Sequence, residues 1–142
     1  MSNGVLGAMG IGVGDLARSV DFYTRVLGME TFSTLTLPHM DEVILGYDRA
    51  RGPALVLMHY TDGSDPSYRD LPVKVVVYVA DPPALAEAIR AEGLDIIREP
   101  SAVPELGDAV VGFAKDPDGY LIEILQRPEP RGQRGQASLV SG

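Results

Sequence analysis

The chain has no cysteine and no tryptophan. The first absence removes a disulfide framework, thiolate metal sites and a catalytic thiol together. Aromatic residues are 6% of the 142, few for a protein that holds flat ligands by ring stacking. Only 12 Lys and Arg stand against 20 Asp and Glu, a formal net charge of −8. A nucleic-acid binder needs a basic stripe to neutralise phosphates, so that class is excluded. No apolar run approaches the ~18 residues of a membrane span. The opening Met1-Ser2-Asn3-Gly4 lacks the basic region of a signal peptide. These absences leave a cytoplasmic protein with neither nucleic acid nor membrane as partner.

What is present suits one compact domain. Hydrophobic residues make up 45%, and a chain of this length buries well over half of its unfolded surface. The charge is uneven: Arg127, Arg131 and Arg134 against Glu129 give residues 127–142 a net +2, which leaves −10 on residues 1–126. Such a body favours a neutral or cationic small molecule. Rich in Pro and Gly and poor in apolar residues, 127–142 reads as a flexible tail.

Periodicity divides residues 1–126 into two similar halves. In the first, residues 5–60, a small apolar run from Val5 to Val13 ends at Gly14-Asp15. Asp15 is a good N-cap, and Leu16, Val20, Tyr23 and Leu27 follow at helical spacing up to Gly28. Strand-like runs then cover Met29–Leu37, Glu42–Tyr47 and Ala54–Tyr60, separated by turn chemistry. After a linker at 61–71, the second half (72–126) repeats the order. Val73–Val79 is β-branched, Asp81 caps a helix with Pro82 in its first turn, and Gly93 ends it. Leu94–Arg98, Ala109–Ala114 and Tyr120–Leu125 are three further strands. Two tandem βαβββ modules, an α+β fold with a curved mixed sheet around a ligand cavity, are the expectation. Neither small sheet is stable alone, so the halves pack together.

The stretch Val13-Gly-Asp-Leu-Ala-Arg-Ser-Val-Asp-Phe-Tyr-Thr-Arg-Val-Leu-Gly-Met29 resembles the opening of glyoxalase I. Ala114-Lys-Asp-Pro-Asp-Gly-Tyr-Leu-Ile-Glu-Ile124 is similar to the second signature of the same group. This is the vicinal-oxygen-chelate superfamily, which includes bleomycin-resistance proteins, extradiol dioxygenases and methylmalonyl-CoA epimerase. The resemblance covers residues 6–126 and implies a homodimer, because members commonly share sheets across subunits. It speaks for the fold and not for one activity, since function lives in the site. Each motif also has a local cause. Asp116-Pro117-Asp118-Gly119 is a tight turn, and Phe22 and Tyr23 pack a helix on its sheet.

In the metal-dependent members each half supplies two ligands, and the ion acts as a Lewis acid on substrate oxygens. Carried onto this chain by the two motifs, the four positions are Ala8, Leu57, Lys74 and Glu123. Only Glu123 can ligate; alanine and leucine have no donor atom, and an ammonium repels a cation. His59 lies two positions beyond Leu57, on the same strand face, and His39 falls in a loop, but a divalent site wants several convergent ligands. The expectation is a site with no metal and no cofactor.

Ala8, Gly10 and Gly12 share one strand face, and glycine within a strand marks a close approach by a ligand or another chain. Opposite them the second half offers Lys74, Val76 and Tyr78, with Leu121 and Glu123 on its last strand. Together with Leu57 these describe a cavity with a roomy wall and a polar cluster; the alternative is tight packing of the small residues against a dimer partner. Lys74 and Glu123 are either a structural ion pair or a catalytic pair. In the second case Glu123 serves as acid or base, Lys74 polarises a substrate oxygen, and Tyr78 and His59 assist.

Three functions compete. The first is a metal-independent lyase, isomerase or cyclase acting on a small oxygenated organic molecule. The second is a drug-sequestering protein of the bleomycin-resistance type, favoured by the acidic body. The third, a metal-dependent lactoylglutathione lyase, requires ligands that these positions lack.

Overall fold

The computed structural model describes residues 4–66 and 72–126. The expected tail at 127–142 and the linker positions 67–71 lie outside the described residues. Among those described, no helix is long and apolar enough to cross a membrane.

The first half runs β1 (Ala8–Gly12), α1 (Leu16–Asp21), β2 (Glu30–Thr36), β3 (Met40–Gly46) and β4 (Ala54–Tyr60). The second runs β5 (Lys74–Val79), α2 (Pro82–Ala91), β6 (Ile96–Val103), β7 (Ala109–Lys115) and β8 (Leu121–Gln126). Each half forms a four-stranded mixed sheet, in the orders β1-β4-β3-β2 and β5-β8-β7-β6. The first strand of each pairs in parallel with the last, and the other pairings are antiparallel. This is the expected α+β architecture of tandem modules.

Local chemistry accounts for the helices. Asp15 accepts from the Arg18 backbone N–H at 3.0 Å and Asp81 from that of Ala84 at 3.1 Å, so each caps its helix. The first helix departs from expectation after Asp21, where Phe22–Val26 widens into a π-helical turn. Gly28 and Gly93 close the two helical segments at φ 81° and 79°, values that favour glycine.

The sixth strand runs five residues past its expected end at Arg98, through Pro100, with its register shifting between Arg98 and Ser101. Proline cannot donate to a ladder, yet an edge strand with a register shift tolerates it. β6 is such an edge.

One core joins the two halves. Ile11, Val43, Leu45, Leu55 and Leu57 face α1, and Val77, Ala114, Ile122 and Ile124 face α2, with Phe22, Tyr23 and Ile89 between. Burying each large side chain contributes about 1.5–3 kcal/mol.

Polar bonds add to the join. The Tyr23 hydroxyl donates to Asp116 Oδ2 at 2.8 Å, and the Tyr120 hydroxyl donates to the Gly12 carbonyl at 2.6 Å. The other Asp116 oxygen accepts from the Asp118 and Tyr120 N–H groups at 2.9 and 2.8 Å. Asp118 in turn accepts from the Gly14 N–H at 3.0 Å and the Ser19 hydroxyl at 3.2 Å. Burial raises the carboxyl of Asp116, and burial followed by the neighbouring Asp116 charge raises the Tyr23 phenol well above its ordinary value.

Candidate functional site

With one face of each sheet covered by a helix, the other stays open. Period-2 alternation decides which side chains stand there. On the second sheet the register aligns Lys74, Leu121 and Lys115 in one row across β5, β8 and β7. Val76, Glu123 and Phe113 form the next row, and Tyr78, Leu125 and Val111 the third. Lys74, Val76, Tyr78, Leu121 and Glu123 thus share a face, as their spacing predicts.

Toward the β5 edge of this face, Lys74 Nζ lies 2.8 Å from Glu123 Oε1. The carboxylate side chain is 13% exposed and the lysine 49%, so the pair stands at the bottom of the open face with the ammonium toward solvent. Val76 and Tyr78 beside it are 41% and 52% exposed, apolar surface without a cover.

On the first sheet the open face carries Ala8, Gly10 and Gly12 of β1 next to Ala54, Val56 and Met58 of β4. The wall is less roomy than the sequence suggests. Met58 lies over Gly10, its Sδ and Cε 3.1 Å from where a Cβ would stand. Gly12 is buried, its carbonyl bound by Tyr120.

Two expected residues are not on this face. Leu57 is 0% exposed and belongs to the core. The parallel register explains why: Gly10 pairs with Val56 and Ile11 with Leu57, so Leu57 points toward the helix. In the second half Val76, two residues after Lys74, pairs with Glu123; in the first half Gly10, two after Ala8, pairs with Val56. The position matching Glu123 is therefore Val56, one residue earlier than motif alignment puts it. His59 follows Leu57 to the same side, where its Nδ1 lies 3.0 Å from the Val13 carbonyl. It holds the end of β1 and does not face Glu123.

A crevice of about 580 Å³ opens between the edge strands β1 and β5. It brings Gly10 together with Lys74, Val76 and Tyr78; Glu123 meets it only through Lys74.

Residues that sequence reasoning passed over are Met58, Phe113 and Lys115. The signal for the last two was the Asp116–Gly119 turn: folding the chain back there sets Phe113 beside Glu123 and Lys115 beside Leu121.

The donor set does not fit a divalent cation. Alanine, valine and an ammonium stand where ligands would be needed, and Lys74 already occupies the one carboxylate. Among the described residues no three His, Asp or Glu side chains converge. The arrangement can instead orient an oxygenated molecule by the ammonium and exchange a proton with it through the carboxylate.

The family model of the Glyoxalase/Bleomycin resistance protein/Dioxygenase superfamily matches residues 5–124. The chain is 34% identical over 126 residues to a lactoylglutathione lyase of Haemophilus influenzae, covering 87% of this chain and 93% of that protein. It is 36% identical over 126 residues to a lactoylglutathione lyase of Arabidopsis thaliana, covering 83% of this chain but spanning only 44% of that longer relative. The structure of the trypanothione-dependent glyoxalase I of Leishmania major superposes with a TM-score of 0.75 at 25% identity, covering 98% and 97% of the two chains. TnmS3, an antibiotic-binding protein of Streptomyces, superposes with a TM-score of 0.69 at 18% identity over 90% of this chain and 99% of its own, a likeness of fold alone.

Proposed function

Because the chain belongs to the Glyoxalase/Bleomycin resistance protein/Dioxygenase superfamily, we propose that it is a proton-transferring enzyme whose chemistry runs on Lys74 and Glu123 in place of a metal. The observation that carries this reading is the 2.8 Å ion pair on the open face of the second sheet. Glu123 removes a proton from a carbon next to a carbonyl, and the Lys74 ammonium donates to the oxygen where negative charge gathers. Returning the proton to a neighbouring atom gives isomerisation; losing a group instead gives a lyase. Tyr78, one row away, offers a hydroxyl at the edge of the site.

Curated relatives named lactoylglutathione lyase support carbonyl chemistry of this kind. Their name is not transferred whole, because the donor set here does not fit the metal implied by the metal-dependent members. The open, apolar rows beside the pair support a homodimer in which a second copy covers them, with the small-molecule ligand held in between.

The test is exchange of the α-protons of a small hydroxy-ketone, such as hydroxyacetone, in heavy water, followed by NMR. Wild-type protein is expected to accelerate exchange equally with and without chelator. Folded Glu123→Gln is expected to lose at least about 100-fold, the lower range for general acid–base groups. Exchange by E123Q at the wild-type rate would remove Glu123 from the chemistry, and a chelator-sensitive rate would restore the metal.

The exposed Val76 and Tyr78 favour one second reading, sequestration of a bulky cationic drug. Calorimetry with a cationic glycopeptide separates the two, since a sequestering protein releases heat on binding and shows no exchange activity.

A further inference from the structure

The chain has only two lysines, Lys74 and Lys115, and the register sets them on either side of Leu121 on the same open face. Strand spacing places their backbones about 10 Å apart, and lysine stems are long and flexible enough to converge over the leucine. Their circumstances differ. Lys74 is held by Glu123 at 2.8 Å, whereas Lys115 has no ion-pair partner among the described residues. Asp116 follows it directly but turns into the core, where its oxygens are taken by Tyr23, Asp118 and Tyr120. A protein of net charge −8 therefore presents, in the same row as Lys74 and one row from Glu123, an ammonium with no ion pair among the described residues. A local cation within an acidic body concentrates a small anion at one spot while the surrounding field repels large ones.

We propose that Lys115 is an anion subsite, and that the ligand of this face is a small organic carboxylate with an oxygen on the neighbouring carbon. Lys115 holds the carboxylate above Leu121, and the neighbouring C–O is set between Lys74 and Glu123. The apolar remainder lies along Val76 and Phe113. This rests on the proton-transfer reading above and names the substrate class for it: a 2-hydroxy or 2-oxo acid, in which the carboxylate serves as handle and the oxygenated carbon as reaction centre.

The test is titration calorimetry of the full chain with 2-hydroxybutyrate and, separately, with its neutral primary amide. Wild-type protein is expected to bind the acid at least about tenfold more tightly than the amide, a difference of about 1.4 kcal/mol. Lys115→Gln is expected to erase that difference, and Lys115→Arg to restore it. Inorganic phosphate is expected to compete with the acid and not with the amide. Equal binding of acid and amide by wild type, a preference that survives in K115Q, or failure of the acid to bind at millimolar concentration would each overturn the subsite. The acid–base reading is judged apart, by the exchange rate of E123Q. Lost exchange in E123Q with no acid preference anywhere keeps the catalytic pair and sinks the subsite; the reverse result does the opposite.

Discussion

Val56 and Leu57 are neighbours in β4 with opposite fates: Val56 pairs with Gly10 on the open face, while Leu57 is wholly buried under the helix. A carboxylate brought to each position separates them. Val56→Glu puts its charge on the open face at a partly exposed position, and is expected to cost no more than about 1 kcal/mol, as for an ordinary partly exposed substitution. Leu57→Glu forces an ionised group into the core and is expected to unfold the protein or cost several kcal/mol. Thermal melts of the two variants check the register. Equal damage from both would refute it.

The glycines make a second pair of opposites. An alanine at Gly10 meets only the end of Met58, whose flexible thioether can swing aside. At Gly112 the added carbon stands 2.8 Å from Pro100 Cγ and 3.1 Å from Pro100 N, which belongs to the backbone. Gly10→Ala is therefore expected to shift stability by less than about 0.5 kcal/mol, and Gly112→Ala to lose about 1–3 kcal/mol. Urea unfolding measures both, and a costly G10A that Met58→Ala failed to relieve would contradict the packing described.

The buried carboxyl of Asp116 predicts a pH effect with a definite sign. Burial raises it above the ordinary 3.8, so the folded protein keeps this proton longer than the unfolded chain does. Its contribution to stability is complete below about 3.8 and is lost as pH rises through the raised folded value. Asp116→Asn cannot ionise. Its melting temperature relative to wild type is expected to climb across that window and then level off. A difference that stays flat, or falls, would show the carboxyl to be unshifted or lowered.

Removing the donor to the same group gives a further expectation. Tyr23→Phe leaves Asp116 Oδ2 without its 2.8 Å hydroxyl, at a residue only 2% exposed. The expected loss is about 1–3 kcal/mol, and the double variant with D116N is expected to lose less than the sum of the two single changes. Additive losses in a double-mutant cycle would mean that the two side chains act independently.

Much of the architecture was legible in the sequence because it is written in local chemistry. Asp15 and Asp81 announce helix starts, Gly28 and Gly93 their ends, and the apolar, β-branched run Val73–Val79 a strand. The site was legible where it depends on spacing within one strand, as for Lys74, Val76 and Tyr78. It was illegible where it depends on register between strands. Nothing in β4 alone says which of two adjacent apolar residues, Val56 or Leu57, faces inward, and a one-residue slip reverses every side chain. That slip also carried His59 to the wrong side. The length of Met58 was in plain sight, but that it spends itself over Gly10 follows only once β1 and β4 are set side by side.

The bonds around Asp116, Asp118 and Tyr120 join the halves without passing through residues 67–71. The backbone there is one tie among several, so a protein nicked in that stretch is expected to remain a single particle in size-exclusion chromatography and to melt in one step. The same bonds start β8, the strand of Glu123, from a loop fastened to β1. The two open faces consequently keep a fixed phase relative to each other and travel as one piece, because the bonds that tie them run from the start of β8 to the end of β1.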